Sequence, residues 1–286
     1  MKRSSDLITP DALSGCIVTR ALGQTHFAFG SVTTTMELAS RLAKAGAPHG
    51  SIVTAEQQTA GRGRRGRKWI SEPGLGIWCS VLLRDQERTG PAAPALGLLA
   101  ACSVVAAARM NGVLCAGVKW PNDVHALEHA SGVQCGDSPA RWPNEWVISA
   151  RKIAGVLVET SKELSGCLVV GIGVNVHHSR SDFPSEFASS ASSVDLCAGR
   201  VVPRPALLAD VLGCFETRLG WSEAAVSSEW HRESLTIGRR VEVSGLHGNF
   251  IGQAEAIEAD GALKVSGPSG IVRITGGETT VRCVSG

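Results

Sequence analysis

Hydrophobic and polar positions along this chain fall into two textures. Up to about residue 235, short apolar runs alternate with longer stretches whose apolar residues recur every three or four positions; beyond it only short alternating runs remain. The first texture predicts strands interleaved with helices, the second a small all-β unit. "HFAFGSV" (26–32), "SIVTAEQ" (51–57) and "LGIWCSVLLR" (75–84) read as strands, as do segments at 113–119, 145–149, 153–160 and 167–176. Between the first two, "TTTMELASRLAKAG" (33–46) puts Leu38, Ala39, Leu42 and Ala43 on one helical face, with Thr34 and Glu37 at capping-box spacing and Gly46 as a stop. "PRPALLADVLGCFETRLGW" (203–221) stacks Leu207, Leu208, Val211, Leu212, Phe215 and Leu219 on one face, and a shorter helical segment runs on to about 235. The most apolar segment, 94–112, is short for a bilayer span and suits a buried helix. Between Asp123 and Lys152 the chain mixes Gly, Pro, Ser and His without period, and most of that stretch reads as a surface loop or hairpin insertion; residues 179–195 are also loop-like.

From Ile237, "GRRVEVSG", "NFIGQAEAIEAD", "GALKVSG" and "GIVRITGGETTVR" are alternating strands between glycine-containing turns, the pattern of a small antiparallel barrel. The expected architecture is therefore α/β, a mixed sheet with flanking helices over 1–235, followed by a small β-barrel over 236–286.

Composition narrows the function. A formal net charge of +2 lacks the basic excess of a dedicated nucleic-acid binder. Nine cysteines are scattered singly, without a CxxC pair or metal-ligand spacing, and no apolar leader follows the basic N-terminus. Both features fit a cytoplasmic protein rather than a disulfide scaffold. The positive charge is instead local. "GRGRRGRKW" (61–69) sets Arg62, Arg64, Arg65 and Arg67 among three glycines, ahead of Trp69. Glycine lets backbone amides approach a ligand, and guanidinium forks match phosphate or carboxylate oxygens two at a time. Such a loop should be mobile when empty and order around an anion. A solvated basic loop and a nucleic-acid module remain open on this stretch alone.

Three further stretches carry polar groups in apolar surroundings. "VKWPNDV" (118–124) places Lys119, Asn122 and Asp123 around a proline turn; "RKIAGVLVE" (151–159) runs Lys152 into an apolar strand ahead of Gly155; "VVGIGVNV" (169–176) carries two glycines and Asn175 in a strand. Singly, each also reads as an ordinary turn, a solubilising lysine or a weakened strand. No GxSxG elbow, GxxxxGK[ST] loop or three-glycine dinucleotide fingerprint is present, and the histidines form no metal set.

Taken in order, "EQQTAGRGRRGRKW" (56–69), "KWPNDV" (119–124), "KIAGVLVE" (152–159) and "GIGVNV" (171–176) resemble the motifs of the biotin protein ligase family, and the unit after 236 resembles that family's SH3-like C-terminal domain. The resemblance implies ATP-dependent activation of biotin to biotinyl-5′-AMP with release of pyrophosphate. Transfer to a lysine of a biotin carboxyl carrier protein follows. It implies biotin contacts at Thr34, Thr35, Gln58, Arg62, Arg64, Lys152 and Gly155, and ATP contacts at Arg62, Arg67, Trp69, Asn122, Lys152 and Asn175. Lys152, Arg62 and Asp123 are implied as catalytic. Mg²⁺ would travel mainly on the ATP phosphates, near Asp123, without a certain protein ligand. Three departures stand out: Met36 and Gly76 replace asparagines usual in the family, and the 125–150 segment is longer. A catalytic domain beginning near residue 26 leaves no room for a DNA-binding domain, so no specific DNA binding and no membrane partner are expected, and a monomer or weak homodimer is. The alternatives are a lipoate–protein ligase using the same adenylation logic, and, less well supported, the nucleic-acid module.

Overall fold

The computed structural model describes residues 6–84, 93–128, 144–160, 166–245, 248–276 and 280–284. A short N-terminal helix α1 (Pro10–Ser14), capped by Thr9, precedes strand β1 (His26–Val32). Then come α2 (Thr35–Lys44), β2 (Ile52–Gln58), β3 (Gly76–Arg84), α3 (Ala93–Met110), β4 (Ala116–Lys119), β5 (Asp123–Ala126), α4 (Asn144–Ser149), β6 (Arg151–Thr160) and β7 (Cys167–Asn175). Helices α5 (Val194–Ala198), α6 (Arg204–Leu219) and α7 (Glu223–Glu233) follow. The seven strands form one mixed sheet in the order β1-β2-β3-β7-β6-β5-β4, with β1 and β2 parallel and the remaining pairs antiparallel.

Two cores hold this sheet. On one face Ile77, Val81, Val156, Val170, Ile172 and Val174 meet α3 and α6, and α3 is buried along most of its length. Apolar all round and long enough to cross a membrane, α3 is here the central core helix. On the other face α2 covers Val53, Leu82 and Val169 through Met36, Ala39 and Ala43. Helix α2 starts as its residues dictate: the Thr34 hydroxyl accepts from the Glu37 amide at 3.0 Å, and Glu37 pairs with Arg41 one turn on.

Strands β8 (Arg240–Gly245), β9 (Gly248–Ile257), β10 (Leu263–Gly267), β11 (Gly270–Ile274) and β12 (Thr280–Cys283) form a second, antiparallel sheet in the order β11-β10-β9-β8-β12. Val241, Val243, Ala254, Leu263, Val265 and Ile274 fill its buried side. It is fastened to the first sheet by Trp120, whose amide donates to the Thr236 hydroxyl and whose indole donates to the Gly261 carbonyl at 2.9 Å.

Two expectations need correction. Residues 145–149 are helical, not a strand: a short apolar run has no decisive period, and in α4 Val147 is buried against Cys115 and Leu235. Of the stretch read as a loop or hairpin insertion, the first residues are not loop but strand: β5 pairs with both β4 and β6. Most of the stretch read as an insertion lies outside the described residues.

Candidate functional site

The α2 face of the sheet is covered only in part. Along β7 that face presents Val169, Gly171, Gly173 and Asn175 in turn, the opposite face being Val170, Ile172 and Val174. Val169 lies beneath α2, and Met36 rests on Gly171, its sulfur 2.7 Å from where a Cβ would stand. Trp69 lies flat on Gly173, its indole about as close to a would-be Cβ. Gly173 is the ladder partner of Gly155 on β6, which Trp69 also covers. Two glycines facing each other across a ladder therefore make a shelf wide enough for an indole ring, the close approach that glycine in a strand signals. Beyond the shelf the sheet opens into a cleft of about 870 Å³.

Lys152 enters this cleft through an irregularity. Asp123 pairs with Gly155 and Val124 with Ala154, but His125 pairs with Lys152, so Ile153 has no opposite residue. Ile153 and Ala154 are both buried in the α3 core. Strict alternation from Gly155 would have turned Lys152 into that core; the bulge returns it to the cleft face, a re-aiming typical of bulges beside functional sites. Its ammonium pairs with the Asp123 carboxylate at 2.7 Å and stands 5.1 Å from the Trp69 ring centre.

The basic loop is folded as a hairpin. The Gly63 amide donates to the Arg67 carbonyl at 2.7 Å, the Trp69 amide to Gly61 at 2.9 Å, and a 3₁₀ turn at Arg64–Gly66 forms its tip with Arg65 at φ 60°. In this conformation three of its four arginines find protein partners. Arg62 pairs with Glu159 at 3.6 Å, Arg64 donates to the Asn122 side chain at 3.2 Å, and Arg65 donates to the Thr280 hydroxyl on β12 at 2.8 Å. The Arg67 side chain makes neither a hydrogen bond nor an ion pair among the described residues. Burial and the neighbouring Arg65 press the Arg64 guanidinium below its ordinary pKa, against the opposing pull of the Asp123 carboxylate.

Of the residues singled out in the sequence, Thr35, Gln58, Arg62, Arg64, Arg67, Trp69, Asn122, Asp123, Lys152, Gly155 and Asn175 all border the cleft. Thr34 does not: its hydroxyl is spent as the α2 cap. Thr35 and Gln58 are locked together, the Gln58 carbonyl oxygen accepting from the Thr35 amide at 2.9 Å while its amide donates to Ser71. Asn175 donates to the Ser192 carbonyl. Both departures show their packing. Met36 fills the space over Gly171, and at Gly76 any Cβ would collide with the Trp78 ring.

The sequence reading missed several wall residues. His178 is buried, stacked on Phe183 at 5.0 Å and edge-on to Trp78, and burial lowers its pKa to about 4. His125 also lines the cleft, held to about 4 by burial and by Lys119. Thr280 and Arg282 come from the second sheet. Among the described residues no three His, Cys, Asp or Glu side chains converge as a metal set. The carboxylates lining the cleft are Asp123, Asp182 and Glu186, and Asp123 is already paired with Lys152, so a divalent cation fits here only if its phosphate ligand brings it.

A water-accessible cleft that sets guanidinium forks, an ammonium and a half-buried carboxylate beside an aromatic shelf is built for an anionic ligand with a ring system. The chain belongs to the Biotin/lipoate A/B protein ligase family, whose model matches residues 28–175, and residues 236–280 match the Biotin protein ligase C terminal domain. It is 32% identical over 265 residues to the bifunctional ligase/repressor BirA of Bacillus subtilis, covering 90% of this chain and 74% of that one. To the biotin–[acetyl-CoA-carboxylase] ligase of Mycobacterium tuberculosis it is 30% identical, over 81% of this chain and 79% of the other. The biotin protein ligase of Aquifex aeolicus in complex with biotin and ATP superposes with a TM-score of 0.73 at 27% identity, covering 91% of this chain and 100% of that one.

Proposed function

We propose that this chain is an ATP-dependent biotin ligase that forms biotinyl-5′-AMP and passes the biotinyl group to a lysine of a biotin carboxyl carrier domain. The observation that carries the reading is the placement of Lys152, re-aimed by the bulge to meet Asp123, Trp69 and the loop arginines in one cleft. Activation brings a carboxylate against the α-phosphate of ATP. These two anions repel, so most of the catalytic task is neutralisation and alignment. Lys152 and Arg62 would supply charge to the carboxyl and phosphate oxygens, with Arg64 and Arg67 beside them. The Trp69 shelf and the Thr35–Gln58 pair would hold the apolar and ureido parts of biotin. Asn122, Trp69 and Asn175 border the space left for the nucleotide. Mg²⁺, carried on the ATP phosphates, supplies charge neutralisation when bound. The hairpin loop shields a hydrolysable acyl phosphate from water.

The test is biotin-dependent ATP–pyrophosphate exchange with lipoate and octanoate as parallel acids. Exchange with biotin alone is expected. Exchange with lipoate instead would keep the chemistry and overturn the substrate, and no exchange with any acid in folded protein would overturn the adenylation reading.

A further inference from the structure

We propose that His125 receives the side-chain amine of the acceptor lysine during the transfer step, as the hydrogen-bond acceptor that holds it beside the reacting carbonyl; this rests on the ligase reading above. His125 stands on β5 two residues beyond Asp123, on the cleft face, directly across the ladder from Lys152. Residues directly opposite in an antiparallel pair have Cβ atoms roughly 5 Å apart. The imidazole is therefore within a side chain's length of the group assigned to the carboxyl and α-phosphate.

Its chemistry is set by one hydrogen bond. Nδ1 faces the Ala150 carbonyl at 3.1 Å, and a carbonyl can only accept, so Nδ1 carries the proton and Nε2 carries the lone pair. Nε2 has no partner among the described residues and is not among the polar atoms sealed from solvent without one. The cleft thus contains an open acceptor, not a donor, beside its principal cation. Neither the carboxylate of biotin nor the phosphates of ATP has a proton to offer it. The ureido N–H groups lie a whole acyl chain away from the carboxyl carbon, and the base and ribose lie on the far side of the α-phosphate. The remaining N–H donor that must come to that carbon is the amine of the acceptor lysine.

The electrostatics make such an acceptor useful. Lys119 and Lys152 both face this part of the cleft, and the Asp123 carboxylate is already engaged by Lys152. An incoming ammonium is repelled, and a neutral acceptor gives the amine a partner without adding charge. In the step itself the ammonium loses one proton to solvent and its lone pair attacks the biotinyl carbonyl carbon. The carbon–oxygen bond to the phosphate breaks with its electron pair leaving on AMP, and the second proton is lost as the amide forms. His125 holds one of the amine N–H groups through this sequence, which points the lone pair at the carbon.

The experiment separates the two half-reactions in the full chain. Enzyme-bound biotinyl-AMP is formed in a single turnover, freed of excess substrate and mixed with a biotin carboxyl carrier domain. His125→Phe keeps a ring and removes the acceptor; His125→Gln keeps an acceptor oxygen. Transfer is expected to slow about tenfold in His125→Phe, the scale of one hydrogen bond, with biotinyl-AMP formation within about twofold of wild type, and to recover largely in His125→Gln. Transfer at the wild-type rate in His125→Phe would overturn the proposal. So would an equal loss in both half-reactions, which marks a structural role, or a rise in the KM for ATP alone, which marks a ribose or base contact. A wild-type enzyme that makes no biotinyl-AMP would overturn the ligase reading itself, a result that cannot be confused with the other three.

Discussion

Replacing Lys152 by alanine separates catalysis from folding, because the two effects differ in size. In the free protein Lys152 pairs with Asp123 at 2.7 Å, with side chains 31% and 28% exposed. A pair that wet contributes about 0–1 kcal/mol. The Trp69 ring at 5.1 Å adds about 0.5–1 kcal/mol. Lys152→Ala should therefore destabilise the fold by no more than about 1–2 kcal/mol. In the role proposed for it the same ammonium would face charge that shifts between carboxylate and phosphate oxygens, and removing one such donor costs about 2.7–4 kcal/mol, or about 10²–10³ in rate. The assay is single-turnover formation of biotinyl-AMP by rapid quench, with urea unfolding on the same preparation. A variant that folds with nearly unchanged midpoint and forms the adenylate at least a hundredfold slower meets the expectation. Adenylate formation within tenfold of wild type would refute the assigned role. Loss of activity accompanied by several kcal/mol of instability would refute the claim that the pair is catalytic rather than structural.

Three further outcomes follow from the geometry. Gly173→Val would put a side chain into the Trp69 indole, already 2.7–2.9 Å from a would-be Cβ, so biotin affinity measured by calorimetry should fall at least about tenfold while the sheet still folds. Arg64→Ala should shorten the lifetime of bound biotinyl-AMP, measured by its release into solution, since Arg64 and Asn122 form a clamp between the loop and the β4–β5 turn; an unchanged lifetime would remove the clamp. His177 lies between Asp6 and Asp195: burial opposes its charge, but hydrogen bonds to both carboxylates outweigh that and raise its pKa from 6.5 to about 9. Because the folded value is the higher, this contribution to stability is complete below about pH 6.5 and is lost as pH rises through 9. Urea midpoints should fall across that window in the wild type, and fall less in His177→Phe.

The sequence was most legible where burial is two-sided. β3 and β7 read as continuous apolar runs because both faces are covered along most of their length, and α6 showed its face because helical spacing has no strand equivalent. Contiguous motifs gave most of the cleft for the same reason: a loop and three strand segments each carry their polar groups within a few residues. What stayed hidden depends on register. Nothing in "RKIAGVLVE" announces that Ile153 is skipped in the ladder, yet that skip decides whether Lys152 faces the cleft or the core. His125 was hidden likewise, since its role depends on sitting opposite Lys152, and Thr280 on contact with a loop more than two hundred residues earlier. Thr34 reads two ways in sequence, as a helix cap by its spacing to Glu37 and as a ligand contact by resemblance; in the structure its hydroxyl caps α2 while its neighbour Thr35 borders the cleft.

The same bulge explains why shelf and charges coexist on one sheet. A regular ladder would give β6 a single alternation, with the residues two apart from Gly155 on the cleft face: Leu157 on one side and Ile153 on the other. The cleft would then hold an apolar side chain where an ammonium is needed, and Lys152 would be driven towards α3, where an unpaired buried charge is costly. Inserting one residue keeps Gly155 and Leu157 beneath the indole and Met36, leaves Ile153 and Ala154 to the core, and delivers Lys152 to Asp123. Apolar binding surface and ionic chemistry, which want opposite environments, thus occupy successive positions of one strand, and the irregularity between them is what separates the two.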